Sequence, residues 1–386
     1  MKIAILESIT TPGGHEVDFD RILVDEFQAL GHEVVLYVPE KFKFNVEYGV
    51  PVEYLSGEGV SYTGMRGLRK SLASLKREFN RQRWFRQMYH RAMKGEFDAI
   101  IVPTSTYRYL RALHINILKK SPVPVIFILH GINPKEAANF FKEVEHLSQY
   151  PNIKAAVMTF GTEVFGRKFT NMHCINPPAY IPRDIVPAEA LPITRVITKE
   201  QPMKLGFFGQ YRREKKLDAF LDAFIAGTYT NSVQLLVQGA TMKPEDSEDF
   251  ERIIAKYQHH QHIKFLHKGL FGKDWQSAIA DVDALLMPYS AARYRYHWAG
   301  MLFTAIGYQK PVVLSSEINP EVSQQFDIGC VFESGNSESL HVSIQQFINT
   351  FQEKAPVYEK ELARAYKIYS PKIFAERLIR LCTTKT

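Results

Sequence analysis

Six consecutive residues, Arg293-Tyr294-Arg295-Tyr296-His297-Trp298, set two guanidinium groups among aromatic rings. Guanidinium forks grip phosphate oxygens two at a time and aromatic faces stack on flat rings, so the run suits a phosphorylated ligand; a purely structural aromatic loop is the alternative. His130 follows the apolar run 125–129 and precedes Gly131, which puts an imidazole at a strand end, where it could bond a hydroxyl or meet developing charge. Glu16 and Asp18 come just after Gly13-Gly14. Each is a candidate general base, and each also suits the first turn of a helix. Cys174, Cys330 and Cys382 lie far apart and are odd in number, which argues against a disulfide framework and against a clustered metal site.

The charge is local. The chain has 386 residues and a net charge of +7, yet residues 66–94 hold ten Lys or Arg against the single acid Glu78, a local +9 that leaves −2 for the rest. Leu68, Leu72, Leu75 and Phe79 recur at helical spacing, so this segment reads as a helix with one apolar face. Further along, Trp84 and Phe85 stand among Arg81, Arg83 and Arg86, a combination suited to an anionic membrane surface and a candidate membrane or acceptor contact. A solvated charged face and a nucleic-acid site are the alternatives, the latter without a recognition motif. No stretch approaches the ~18 apolar residues of a membrane span, and the opening apolar run is shorter than a secretory core. The expected location is the cytoplasm, peripheral to the inner face of the cytoplasmic membrane.

These residues need elements to hold them. A strand over 1–6, a Gly-rich turn, a helix over 17–30, Gly31 and a strand over 31–38 make a βαβ unit. Strands over 97–102 and 123–129 flank a helix over 107–119. Five prolines within 176–192 mark a linker. Beyond it the rhythm restarts, with strands over 203–208, 233–238, 263–266 and 284–287 and helices over 216–225, 246–259 and 275–279. The fold class is α/β, with two Rossmann-like, doubly wound parallel-sheet domains and sites at strand C-terminal ends.

The second half resembles the GT-B glycosyltransferases, group 1 or family 4-like. The likeness rests on 204–209, Arg213-Glu214-Lys215 with Leu217-Asp218, 263–269, 283–288 and 307–313, in that order and spacing. The Gly13-Gly14 turn, the His130-Gly131 step and a C-terminal helix from about Pro371 agree with it. The resemblance implies an N-terminal acceptor domain over 1–185, a nucleotide-sugar domain over 186–370, the two facing a cleft, and a helix over 371–386 returning to the first domain. It implies sugar transfer from a UDP- or GDP-sugar to a lipid-linked or glycan acceptor in surface polysaccharide or glycolipid assembly. No metal and no other cofactor is expected, and no nucleic-acid partner.

Residue by residue, the resemblance makes Lys215 the phosphate lysine, with Gln210 where the family has an arginine and Arg212 or Arg213 as its substitute. Gly13, Gly14 and Gly239 fall at donor-binding turns, while the loop with Arg293 and Arg295, longer than the family's, is this sequence's own candidate for phosphate contacts in place of the missing arginine and glutamates. His130 touches the transferred sugar, and Asp18 is the candidate base if configuration inverts. The family's two glutamates, eight positions apart, are replaced by Tyr296 and Thr304, which bring hydrogen bonds without charge. A non-catalytic partner subunit of the same fold is the competing expectation.

Overall fold

The computed structural model describes the chain except residues 9–14, 45–46, 61–64, 66, 159–165, 167–168, 181–194, 292 and 385–386, and except the side chains of 15–18. Gly13 and Gly14, the Asp18 side chain and most of the proline-rich linker therefore lie outside the described residues. The chain forms two compact units: Met1–Pro177 with Tyr296–Trp298 and Pro371–Thr386, and Pro178–Arg295 with Ala299–Ser370.

The first unit holds the strands β1 (Lys2–Leu6), β2 (Glu33–Glu40), β3 (Val52–Glu58), β4 (Ala99–Ser105), β5 (Val125–Leu129), β6 (Ile153–Val157) and β7 (Met172–Cys174). They pair in the order β3-β2-β1-β4-β5-β6-β7. All pairs are parallel, with Ile3 opposite both Val34 and Ala99. Every residue of β5 and β6 is buried, so both sheet faces are covered, which is why β5 reads as an unbroken apolar run. The helices are α1 (His15–Ala29), α2 (Gly67–Met93), α3 (Tyr107–Ala112) and α4 (Pro134–Leu147). Asn116 breaks the helix expected over 107–119: it is 2% exposed, its side chain accepts from Leu118 N–H at 3.0 Å, and its amide donates to Gln82 O at 2.8 Å. A short 3-10 turn, Ile117–Lys120, follows.

Helix α2 corrects the sequence reading. Trp84 and Phe85 are core residues, 2% and 1% exposed, and Arg81 is buried with them. Trp84 Nε1 donates to Gly57 O at 3.1 Å, Phe85 packs edge-on to Phe127, and Arg81 lies 4.2 Å over the Tyr109 ring while pairing with Glu78. None of the three can meet a membrane without leaving the core. Arg83 and Arg86 remain exposed, and the expected apolar face, Leu68 to Phe79, is exposed too.

The second unit repeats the plan. Its strands are β8 (Met203–Phe207), β9 (Val233–Gln238), β10 (Ile263–Leu266), β11 (Ala284–Met287), β12 (Val312–Ser315) and β13 (Gly329–Phe332), ordered β10-β9-β8-β11-β12-β13 and parallel throughout. The order reverses beside β8, as it does beside β1, and such a switch point is where ligands settle in open α/β sheets. The helices of the remaining chain are α5 (Leu217–Ala226), α6 (Pro244–Tyr257), α7 (Gly272–Ala280), α8 (Arg293–Tyr296), α9 (Gly300–Gly307), α10 (Pro320–Gln325), α11 (Ser337–Ile368) and α12 (Pro371–Thr383). Of these, α12 belongs to the first unit. There the buried Lys154 of β6 donates to Leu381 O at 2.8 Å and Thr384 O at 2.7 Å, satisfying carbonyls at the end of α12.

Candidate functional site

In the second unit the chain leaves β8 through Gly209, whose φ of +101° favours a residue without Cβ, and turns at Arg213–Lys215 into α5. Gln238, 1% exposed at the end of β9, holds this turn by accepting from Gly209 N–H at 2.8 Å and donating to Lys268 O at 2.5 Å. Lys215 points inward. Its ammonium sits 4.5 Å from the centre of the Tyr289 ring and 5.3 Å from that of Phe207, with only 6% of the residue exposed. Burial, then the neighbouring Arg212 and Arg293, lower its pKa to about 7. A lysine that loses charge near neutrality, in a turn at a switch point, is poised for an anion that would restore the charge.

Glu214 gathers the other cations. Arg293 Nη2 pairs with its carboxylate, Arg212 Nη1 lies 3.7 Å from it, and Tyr294 donates to it at 3.4 Å. Arg212 Nη2 also donates to Gln210 Oε1 at 3.0 Å. Lys215, Arg212 and Gln210, all singled out from sequence, thus share one turn, and Arg293, also singled out, reaches it from α8 through Glu214. Arg213 departs from it, since Nη2 donates to Glu245 O at 2.7 Å and Nε lies 3.9 Å from Asp249. Among the described residues, two polar groups of the cluster are buried without a hydrogen-bond partner, the Tyr289 hydroxyl and Arg293 Nε. Such orphans mark a place where a ligand can bond.

Asn319, fully buried, is a residue the sequence reading missed. Its Oδ1 accepts from Ala299 N–H at 3.1 Å, and its Nδ2 donates to Tyr294 O at 3.1 Å and Arg295 O at 3.4 Å. It holds the arginine-bearing loop, and its positive φ of 34° suits asparagine. Thr304 is buried on α9. At Gly239 a Cβ would come within 2.7 Å of the Phe250 ring, so packing alone accounts for that glycine.

In the first unit, His130 ends β5 as expected. Its Nε2 faces the Pro103 carbonyl at 2.9 Å; a carbonyl only accepts, so Nε2 donates. The ring meets Phe19 edge-on at 4.5 Å and Trp298 at 5.4 Å. The segment Tyr296–Trp298 lies against this step: Trp298 N–H donates to His130 O at 2.6 Å, and Gly131 bridges to His297. At Gly131, φ +145°, a Cβ would sit 2.1 Å from Tyr296 O, so only glycine permits this approach. Tyr296 therefore stands with His130 in the first unit. Among the described residues no group of three or more His, Cys, Asp or Glu could hold a metal ion, and no helix is long and apolar enough to cross a membrane.

No family model matches the chain, and no curated protein is similar to it in sequence. Solved structures are. The chain is similar to Anabaena HepE in complex with UDP and glucose at 17% identity, with a TM-score of 0.66 over 98% of both chains. It is similar to the apo form of the lipopolysaccharide outer core galactosyltransferase WaaB at 13% identity, with a TM-score of 0.58 over 99% of both. It is also similar to the catalytic domain of starch synthase IV from Arabidopsis thaliana bound to ADP and acarbose, at 13% identity and a TM-score of 0.66 over 99% of both. The fold, two parallel-sheet α/β units, is that of the GT-B glycosyltransferases.

Proposed function

We propose that this chain is a glycosyltransferase that moves a sugar from a nucleoside-diphosphate sugar, of the UDP or GDP type, to a lipid-linked or glycan acceptor. The observation that carries the reading is the cluster of Lys215, Arg212 and Arg293 around Glu214, beside the orphaned Tyr289 hydroxyl, at the turn after β8. A diphosphate leaving group gathers negative charge as the sugar departs, and preformed cations in a partly dry site stabilise that charge most. The cluster supplies this charge without a divalent ion, so transfer should not need one. Lys215, Arg212 and Arg293 take the phosphates, and Gln210 orients Arg212. His130 stands toward the transferred sugar, and Asp18 is proposed as the base on the acceptor side.

The ligands bound in similar structures, UDP with glucose and ADP with acarbose, support a nucleotide donor. A lipid-linked acceptor at an anionic membrane accords with the lipopolysaccharide enzyme among them. A second reading, a non-catalytic partner subunit, is favoured by one feature, the uncharged Tyr296 and Thr304 where the resemblance leads one to expect carboxylates. A thermal-shift screen with UDP, GDP, CDP, ADP and their sugars tests the donor. At least one diphosphate should raise the melting temperature in the wild type and fail to do so in Lys215→Ala. No shift with any of them would overturn the reading.

A further inference from the structure

Among the described residues the apolar face of α2 is left uncovered. Leu68, Leu72, Leu75 and Phe79 are 84%, 65%, 68% and 69% exposed. At about 100° per residue they fall within about 60° of arc, a continuous stripe along three turns. From Gly67 to Lys76 the helix is exposed on every side except at half-buried Ala73, so these turns stand clear of the core that buries Trp84, Phe85 and Met88. Exposed stripes of this kind on a folded protein mark an interaction surface.

The charges select the occupant. Arg83, Arg86 and His90 continue the same arc and are exposed, and Lys76 and Arg69 border it. The helix has one acid, Glu78, and that carboxylate pairs with Arg81. A second copy of the chain docked face to face would set this cationic field against itself. Nucleic acid would neutralise the cations and leave the leucines wet. An anionic bilayer answers both features, taking the apolar stripe at the acyl boundary and offering headgroup phosphates to the flanking cations.

We propose that α2 docks the protein on anionic lipid bilayers through Leu68, Leu72, Leu75 and Phe79, with Lys76, Arg83 and Arg86 on the headgroups. This deepens the reading of a lipid-linked acceptor and rests on it only for its purpose, because docking is measured without any donor. If docking fails while a nucleoside diphosphate still stabilises the protein, only the membrane inference is lost.

The experiment is sedimentation with vesicles of phosphatidylcholine, with and without about one third phosphatidylglycerol. The wild type should bind the anionic vesicles at least about tenfold more tightly than the neutral ones. Leu72→Ser with Leu75→Ser and Phe79→Ser should weaken binding about tenfold or more at every salt concentration, with circular dichroism and melting temperature unchanged because all three side chains are exposed. Lys76→Glu with Arg83→Glu and Arg86→Glu should weaken it more than a hundredfold at low salt, each cation contributing about fivefold. Three results would overturn the proposal: no preference for anionic vesicles, wild-type binding by the serine variant, or a wild-type dimer in light scattering that the serine variant dissociates.

Discussion

Lys215 gives the sharpest expectation. Its pKa of about 7 leaves about one tenth of the molecules protonated there at pH 8. A phosphate about 4 Å away, at an effective dielectric of about 20, favours the charged lysine by about 4 kcal/mol, which lifts the pKa back toward about 10. Binding a nucleoside diphosphate at pH 8 should therefore take up about 0.9 proton, and affinity should fall about 50-fold between pH 7 and 9. The phosphate is itself ionised by then and adds little. Calorimetry in buffers of different ionisation enthalpy reads the uptake directly. In Lys215→Met the uptake should vanish and the pH dependence flatten.

The sign carries over to folding. The folded pKa lies below the unfolded value of 10.5, so the unfolded chain holds more protons between pH 7 and 10.5. Stability should rise with pH across that window, by at most about 5 kcal/mol, and Lys215→Met should lose the slope. Uptake below about 0.2 proton by the wild type at pH 8, or wild-type uptake by the methionine variant, would refute the reasoning.

Asn319→Ala removes three hydrogen bonds from a buried site, so it should cost about 2–4 kcal/mol in stability and weaken diphosphate binding about tenfold by loosening the Arg293 loop. Denaturant melts and calorimetry check both. Lys154→Met strands the carbonyls of Leu381 and Thr384 and should lower the melting temperature by several degrees without changing nucleotide affinity. His130→Ala should reduce turnover while leaving diphosphate affinity within about twofold, since it acts on the sugar and not on the phosphates; equal losses in both would remove it from that role.

The alternation of apolar runs with helical periodicity made the α/β class and the strands β1, β8, β9, β10 and β11 legible, because each is short, apolar and bounded by turn residues. The half-buried β3 and the short β7 and β13 have no such run and went unseen. Lys215 and Arg212 were legible as candidates through the family resemblance, and Arg293 through the density of guanidinium and aromatic groups in 293–298. Glu214 and Asn319 were not, because what they do depends on a loop about eighty residues away and on one about twenty-five away. The largest reversal is α2. Periodicity identified the stripe from Leu68 to Phe79 and composition the Trp84–Phe85 pair, but neither says which of the two the sheet covers. The aromatic one went inward because Gly57 and Glu58 offer backbone carbonyls to Trp84 and Asn80 there.

Transfer itself is the most direct test. The nucleotide sugar that stabilises the protein, labelled in its sugar, should be incubated with the full chain and a bacterial lipid extract. The expected result is label in the organic phase, one nucleoside diphosphate released per sugar moved, no loss on adding EDTA, and almost none of either product from Lys215→Ala. A donor that binds tightly yet stays intact with every acceptor offered would contradict the transferase and leave a nucleotide-sugar-binding partner subunit in its place.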